Sequence, residues 1–241
     1  MFEGKAVLIT GGSSGIGEVT ALLFAQRGAD VAITYKSNKA GADKVVDAIR
    51  ETGKRSIAIR ADLTEDEQAK KVVDGVLRKF GKIDILVNNA GRYTDGDEWD
   101  GSSDIWVKSL RQNLVSMMSI SKYVIEVFQQ QKNGVMINIS SRHGVNGTPD
   151  ALSYAAAKAG VINITQAYAK LLAPFARVNS VAPAATDAGY WHIAPKEELD
   201  EILASRPTHK LVDPKTVAEK IVFLASDDAR DITGQNFPVN D

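Results

Sequence analysis

Ser141, Tyr154 and Lys158 are residues whose types and spacing can move a proton to and from an oxygen. Tyr154 and Lys158 lie four residues apart, so a helix presents both on one face. An ammonium beside a phenol favours the phenolate. At an effective dielectric of about 20 and a separation of about 4 Å the pair gains roughly 4 kcal/mol. That corresponds to about three pKa units, enough to bring a tyrosine from about 10 toward neutrality. A phenol so tuned exchanges protons with an alcohol at physiological pH. Ser141, thirteen residues before Tyr154, is placed to hold the reacting oxygen. A second Tyr-x-x-x-Lys pair, Tyr35 and Lys39, has Leu22 where the serine should be and falls where a strand ends.

The elements that must position these groups alternate along the chain. Apolar, β-branched runs mark strands over Ala6–Thr10, Val31–Thr34, Ser56–Arg60, Ile83–Val87, Val135–Ile139, Arg177–Val181 and Asn236–Val239. Helical patterns cover Gly15–Arg27, Ala40–Thr52, Glu65–Phe80, Ser103–Gln131, Leu152–Ala173, Lys196–Ser205 and Pro214–Ala225. Strands apolar along their whole length suit a sheet covered on both faces. The alternation predicts an α/β fold, a Rossmann-type doubly wound parallel sheet of about seven strands in a single domain over 1–241. A cofactor half spans about 1–91 and a catalytic and substrate half about 92–241. Gly28, Gly53, Gly81 and Gly134 stand where left-handed helix caps are expected. The stretch Ala184–Arg206, with Pro195 and Gly189-Tyr190-Trp191, breaks the rhythm and could form a mobile lid.

After the first strand comes Gly11-Gly12-Ser13-Ser14-Gly15-Ile16-Gly17, running into a helix. A tight turn, close backbone approach and a helix N-terminus are what a pyrophosphate needs. The spacing, Gly-x-x-x-Gly-x-Gly, differs from the common Gly-x-Gly-x-x-Gly fingerprint, and an ordinary glycine turn is the bland alternative. At the end of the second strand, where an acid would bind the bare ribose of NAD, stands Tyr35-Lys36-Ser37. A cation and a hydroxyl suit the extra phosphate of NADP, so NADP(H) is expected in preference to NAD(H). Lys36 as a solvated loop lysine is the alternative. Asp62-Leu63 fits an adenine contact, or else the capping region of the next helix.

Taken together these residues resemble the short-chain dehydrogenase/reductases, over essentially the whole chain. Thr10-Gly11-x-x-x-Gly15-Ile16-Gly17 matches that family's cofactor loop, and Asn88-Asn89-Ala90-Gly91 the motif closing its fourth strand. Asn113, Ser141, Tyr154 and Lys158 match its catalytic tetrad, and Asn179-Ser180-Val181-Ala182-Pro183 and Ile232-Thr233-Gly234-Gln235 its later signatures. The resemblance implies an enzyme interconverting a secondary alcohol and a ketone, with Tyr154 as acid or base. It implies that Lys158 also binds the nicotinamide ribose, that Ser141 positions the substrate oxygen, and that Asn113 holds a relay water. A helix-interior structural amide is the alternative for Asn113. Asn89, Ala90, Gly91, Pro183, Ala184 and Thr186 would complete the cofactor contacts. The default substrate is a 3-oxoacyl thioester, as for 3-oxoacyl-carrier-protein reductases; a sugar, polyol or small cyclic ketone is the alternative. A non-catalytic dinucleotide-sensing scaffold is the reading from another class. Where the family has Pro-Gly after the sixth strand, this chain has Pro183-Ala184, which would strain a positive φ. Family members often continue past the position of Asp241. Association through the long helices, as a tetramer or dimer, is also implied.

Composition narrows the partners. The chain has 241 residues, 44% hydrophobic and 24% charged, with a formal net charge of −1. No basic cluster offers nucleic acid an electrostatic footprint, and no apolar run reaches membrane-spanning length. The absence of cysteine excludes disulfides and thiolate chemistry, and the scattered His143, His192 and His209 do not make a metal site. His143 reads first as a loop histidine without a role and otherwise as lining the pocket; Trp191 is the better pocket candidate, while Trp106 reads as core. A cytoplasmic enzyme of a small carbonyl or alcohol substrate is the expectation.

Overall fold

The computed structural model describes residues 1–239. β1 (Ala6–Ile9), β2 (Asp30–Tyr35), β3 (Ser56–Arg60), β4 (Ile85–Asn88), β5 (Gly134–Ile139), β6 (Ala176–Pro183) and β7 (Asn236–Val239) form one sheet in the order β3-β2-β1-β4-β5-β6-β7. Every pairing is parallel. Alternate residues feed opposite faces: Val7 and Ile9 of β1 enter one core, Ala6 and Leu8 the other. The first core is closed by α1 (Gly15–Gln26), α2 (Lys39–Glu51) and α9 (Pro214–Ala225). The second is closed by α3 (Asp66–Phe80), α5 (Ser116–Gln131) and α7 (Leu152–Leu172). Each large apolar side chain so buried contributes roughly 1.5–3 kcal/mol. Burial on both faces is why the strands read as continuous apolar runs.

Four features differ from the sequence expectation. The single helix expected over Ser103–Gln131 is α4 (Ser103–Leu110), a π-turn at Arg111–Val115, and then α5. Gly28, Gly53 and Gly81 take positive φ, but Gly134 does not; Lys132 adopts the left-handed cap instead, with φ 54°. Gly134 is needed for another reason, since a Cβ there would lie only 2.3 Å from the Phe128 ring. Ala184 is not in the positive-φ region, so alanine causes no strain there. A short helix, α6 (His143–Asn146), follows β5 where none was expected.

The stretch expected as a lid contains a 3-10 turn at Gly189–His192 and α8 (Lys196–Ala204). Its beginning is tied down: Thr186 bridges Val212, and Ala184 donates its N–H to Val239 O at 2.9 Å. Asp241, where family members often continue, lies outside the described residues. Among the described residues, no helix is long and apolar enough to cross a membrane, and no group of three or more His, Asp or Glu could hold a metal ion.

Candidate active site

The sheet order reverses between β1 and β4, and the loops leaving these strands part to opposite faces, opening a crevice at their carboxyl ends. Thr10 closes its floor. The Thr10 hydroxyl oxygen accepts the N–H groups of Asn89 and Ala90, each at 2.9 Å. The Asn89 side-chain amide donates back to Thr10 O at 2.9 Å and Gly11 O at 3.1 Å. Gly11 takes a left-handed φ of 66°, and its N–H reaches the Thr34 hydroxyl at 3.1 Å. A Cβ at Gly11 would lie 3.1 Å from Ala90 Cα, so the two loops touch because that side chain is missing.

α1 begins at Gly15, also at positive φ, and Ser14 precedes it in extended conformation without a side-chain cap. An uncapped first turn offers N–H groups and the positive end of the helix to an anion. Ile16 packs against the core and aims the turn. Asn38, not anticipated from sequence, donates to Ser13 O at 3.1 Å and accepts from Gly41 N at 3.0 Å, joining the glycine loop to the start of α2. The donor set and the close backbone fit a dinucleotide pyrophosphate.

At the ends of β2 and β3, where the sequence places the adenosine, the structure pairs two residues that the sequence treated separately. Lys36 Nζ lies 2.5 Å from Asp62 Oδ2. Asp62 also accepts from the Thr64 hydroxyl at 2.7 Å and the Thr64 N–H at 3.1 Å. Partial burial raises the Asp62 carboxyl, but the hydrogen bonds from Lys36 and Thr64 prevail and hold it below the usual carboxylate range. Tyr35 is in register with Arg60, whose guanidinium donates to Lys36 O at 3.3 Å. Arg60 is therefore a second cation at this strand end, brought there by sheet pairing. Ser37 is exposed beside Lys36, whereas Leu63 is buried in the second core.

Across the crevice, β5 and α7 bring Ser141, Tyr154 and Lys158 together. The Ser140 hydroxyl is turned away, donating to Val181 O at 3.0 Å and Asn236 Oδ1 at 2.8 Å. Ser141, the next residue, hydrogen-bonds Tyr154. Lys158 is buried, and its Nζ donates to Ile139 O at 2.7 Å and stands 5.6 Å from the Tyr154 ring centre. The expected depression of the Tyr154 pKa does not appear. Burial pushes the phenol above its ordinary value, and the Ser141 hydrogen bond offsets this only in part. Burial likewise lowers Lys158, to about 8.

Asn113 sits in the π-turn with its side chain committed. Its Oδ1 accepts from Arg92 N at 2.8 Å, and its Nδ2 donates to Arg92 O at 2.9 Å and Ser109 O at 3.0 Å. Gly91 lies between it and the lysine: a Cβ there would be 2.7 Å from Asn113 Oδ1 and 3.4 Å from Lys158 Nζ. Pro183 ends β6, Ala184 and Thr186 follow it, and the Thr186 hydroxyl donates to Ala184 O at 2.8 Å. Gly15 faces this segment, its added Cβ falling 3.2 Å from Ala188 Cβ.

Aromatic rings surround the phenol. Tyr93 and His143 meet Tyr154 edge-on at 6.4 and 6.2 Å between centres, and Tyr190 meets Tyr93 at 5.3 Å. Tyr190 donates to Glu198 at 2.5 Å, and Trp191 packs on Tyr190 at 5.5 Å. Trp106, expected in the core, instead donates its indole N–H to Glu98 O at 3.3 Å. Sequence reasoning missed Asp97. Fully buried in the loop after Gly91, it accepts from Ser153 N at 2.9 Å, Tyr154 N at 2.8 Å and the Ser153 hydroxyl at 2.5 Å.

A parallel sheet of this order with a glycine loop at its switch point is the architecture that binds a dinucleotide. The chain belongs to the short-chain dehydrogenase/reductase family, residues 11–241 matching the family model described as enoyl-(acyl carrier protein) reductase. It is an NAD(P)-dependent oxidoreductase acting on CH–OH groups. A 3-oxoacyl-[acyl-carrier-protein] reductase of Thermotoga maritima is 38% identical over 234 residues, 97% of this chain and 95% of that protein. The structure of an NAD+-bound xylitol dehydrogenase superposes with a TM-score of 0.92 at 30% identity, covering 99% of this chain and 98% of that one. An actinorhodin polyketide ketoreductase with NADPH gives 0.90 at 27% identity, covering 98% and 95%.

Burial of Lys158 has a measurable consequence for stability. With its pKa lowered from 10.5 to about 8, the unfolded chain binds the extra proton between those values, so stability rises with pH across that window. The rise attributable to Lys158 is about 3 kcal/mol, each pKa unit being about 1.4 kcal/mol. Urea unfolding at pH 8 and pH 10 is expected to show about 2 kcal/mol of this gain in the unmodified protein and to lose it in Lys158→Met.

Proposed function

We propose that the protein interconverts a ketone and a secondary alcohol with NADP(H), Tyr154 carrying the proton. The observation that supports this most directly is the convergence of Ser141, Tyr154 and Lys158 beside Gly91, on the far side of the crevice from the glycine loop. Gly11, Ser13, Ser14, Gly15 and Ile16 would hold the pyrophosphate, Asn89, Ala90 and Gly91 the middle of the dinucleotide, and Pro183, Ala184 and Thr186 the carboxamide end. Bound there, the nicotinamide supplies or accepts the hydride. Ser141 hydrogen-bonds the substrate oxygen and orients it toward Tyr154. Burial keeps the phenol protonated, as a donor to a ketone must be, while Ser141 and the Lys158 ammonium stabilise the phenolate as the proton leaves. Oxidation runs the same transfer in reverse. The committed amide of Asn113 favours its structural role: it straps Gly91-Arg92 against the back of Lys158.

Lys36, Ser37 and Arg60 support NADP preference, since all can face a phosphate on the adenosine ribose. Asp62 opposes it by occupying Lys36. A charge-assisted contact contributes roughly 1.5–3 kcal/mol, and competition from Asp62 places Lys36 at the lower end.

A 3-oxoacyl thioester is the substrate that the reductase relatives suggest. A compact ring ketone or polyol is a second reading, favoured by one observation. Tyr93 and His143 wall the phenol with rings, and Asp95, Glu98 and Glu198 charge the surroundings of Tyr93 and Tyr190 negatively. A carbonyl delivered on a phosphate-bearing arm would have to pass that acidic rim. The segment 184–206 would then act as a lid through the Tyr190–Tyr93 contact.

Tyr154→Phe keeps the ring and removes the proton, so turnover should fall by at least about 10² with NADPH still bound. Near-normal turnover across thioester, cyclic ketone and polyol panels would remove the assignment. In that panel, the unmodified protein's preferred compound decides between the two substrate readings. Lys36→Ala should weaken NADPH binding about tenfold and leave NADH almost unchanged. Asp62→Asn should tighten NADPH by freeing Lys36. Tighter binding of NADH than NADPH by the unmodified protein would reverse the cofactor reading. Exposed Val107, Val115, Met118 and Leu152 on α4, the π-turn, α5 and α7 suit association with further copies. Light scattering at micromolar concentration should give a tetramer or dimer mass.

A further inference from the structure

We infer that Asp97 is a positioning residue for Tyr154: by capping the first turn of α7 from a separate loop, its carboxylate sets where the phenol stands between Ser141 and Lys158. A helix start has N–H groups without intrahelical partners, and Ala151, at the cap position of α7, has no side chain to meet them. Asp97 meets them from more than fifty residues away. Its main-chain oxygen accepts from Leu152 N at 2.9 Å, one carboxylate oxygen from Ser153 N and Oγ, and the other from Tyr154 N at 2.8 Å. The three successive N–H groups of the first turn therefore end on one residue, and the last of them belongs to Tyr154.

The loop is itself anchored, which lets Asp97 impose a position on the helix. Glu98 O accepts from Gly101 N at 3.1 Å and from the Trp106 indole at 3.3 Å, tying the loop to α4. Lys158 is held independently, through Ile139 O on β5, and the glycine loop is held by β1 and β2. Loss of Asp97 would therefore release the first turn of α7, and the phenol with it, while the lysine and the dinucleotide loop stay in place. A negative charge at a helix N-terminus also suits the helix dipole, but stabilisation alone would not connect Asp97 to turnover.

This inference rests on the reading of Tyr154 as the proton carrier, so Tyr154→Phe is measured alongside. Asp97→Ala, Asp97→Asn and Ser153→Ala are assayed at a temperature where circular dichroism shows each folded, with NADPH affinity read by fluorescence. Because a displacement of about 1 Å costs on the order of a hundredfold, kcat should fall about a hundredfold in Asp97→Ala. Asn keeps one acceptor and should recover part of the loss, while Ser153→Ala, which removes one of the three carboxylate bonds, should lose about three- to tenfold. NADPH affinity should stay within about twofold in all three, since its loop is anchored elsewhere. An inactive Tyr154→Phe together with unchanged kcat in folded Asp97→Ala overturns the inference. If neither Asp97 variant folds, unchanged kcat in Ser153→Ala overturns it, as does a kcat loss matched by an equal loss of NADPH affinity. An active Tyr154→Phe removes the proton-carrier reading itself, whatever the Asp97 variants do.

Discussion

The reciprocal hydrogen bonding of Thr10 and Asn89 is the constraint from which the site is built. β1 and β4 are neighbours in the sheet, yet their following loops must separate to reach helices on opposite faces. Left alone, that divergence would expose main-chain groups at the sheet's centre, where unpaired polar atoms are costly. One hydroxyl and one carboxamide satisfy them and fix the width of the crevice. The glycine loop is thereby aimed from one side, and Gly91, with Asn113 and Lys158 behind it, from the other.

Burial is the second determinant, and it acts against charge. Tyr154 and Lys158 are both pushed toward their neutral forms, because removing an ion from water outweighs a partner several ångströms away. The lysine donates to a main-chain carbonyl, and so serves first as a fixed post at the end of β5. A polar chain of similar character crosses the sheet nearby. Asn88 donates to Ser121 and to Asn138, and Asn138 to Thr165, linking β4 and β5 to α5 and α7. These bonds lock the layers that carry Ser141, Tyr154 and Lys158 in one register.

The layered fold was legible in the sequence because burial on both faces writes itself as apolar strands and alternating helices. The convergence of Ser141, Tyr154 and Lys158 was legible because local spacing carries it: a helical turn for two of them, and strand alternation to choose Ser141 over Ser140. What escaped depends on contacts between distant segments. Asp97 is an ordinary loop acid until the fold brings α7 to it. Lys36 and Asp62 belong to successive strand ends, and only the β2–β3 pairing puts them together, with Arg60 beside them. The lowered tyrosine pKa was expected from a pair distance alone, without the cost of desolvating both partners. The π-turn left no trace because its apolar residues continue the helical pattern.

That wide turn separates two jobs within one rod. An α-helix advances about 100° per residue, so a surplus residue absorbed at Arg111–Val115 resets the azimuth of everything before it relative to everything after. Met117, Ile120, Val124 and Phe128 of α5 face inward, clamped in phase with the sheet. α4, by contrast, buries only Ser109 and answers to the loop above it. Adjustments of α4 to the loop carrying Asp97 are therefore absorbed at the turn and do not rotate the core-facing half. One rod thus serves two references, the Asp97 loop at its start and the sheet along the rest of its length.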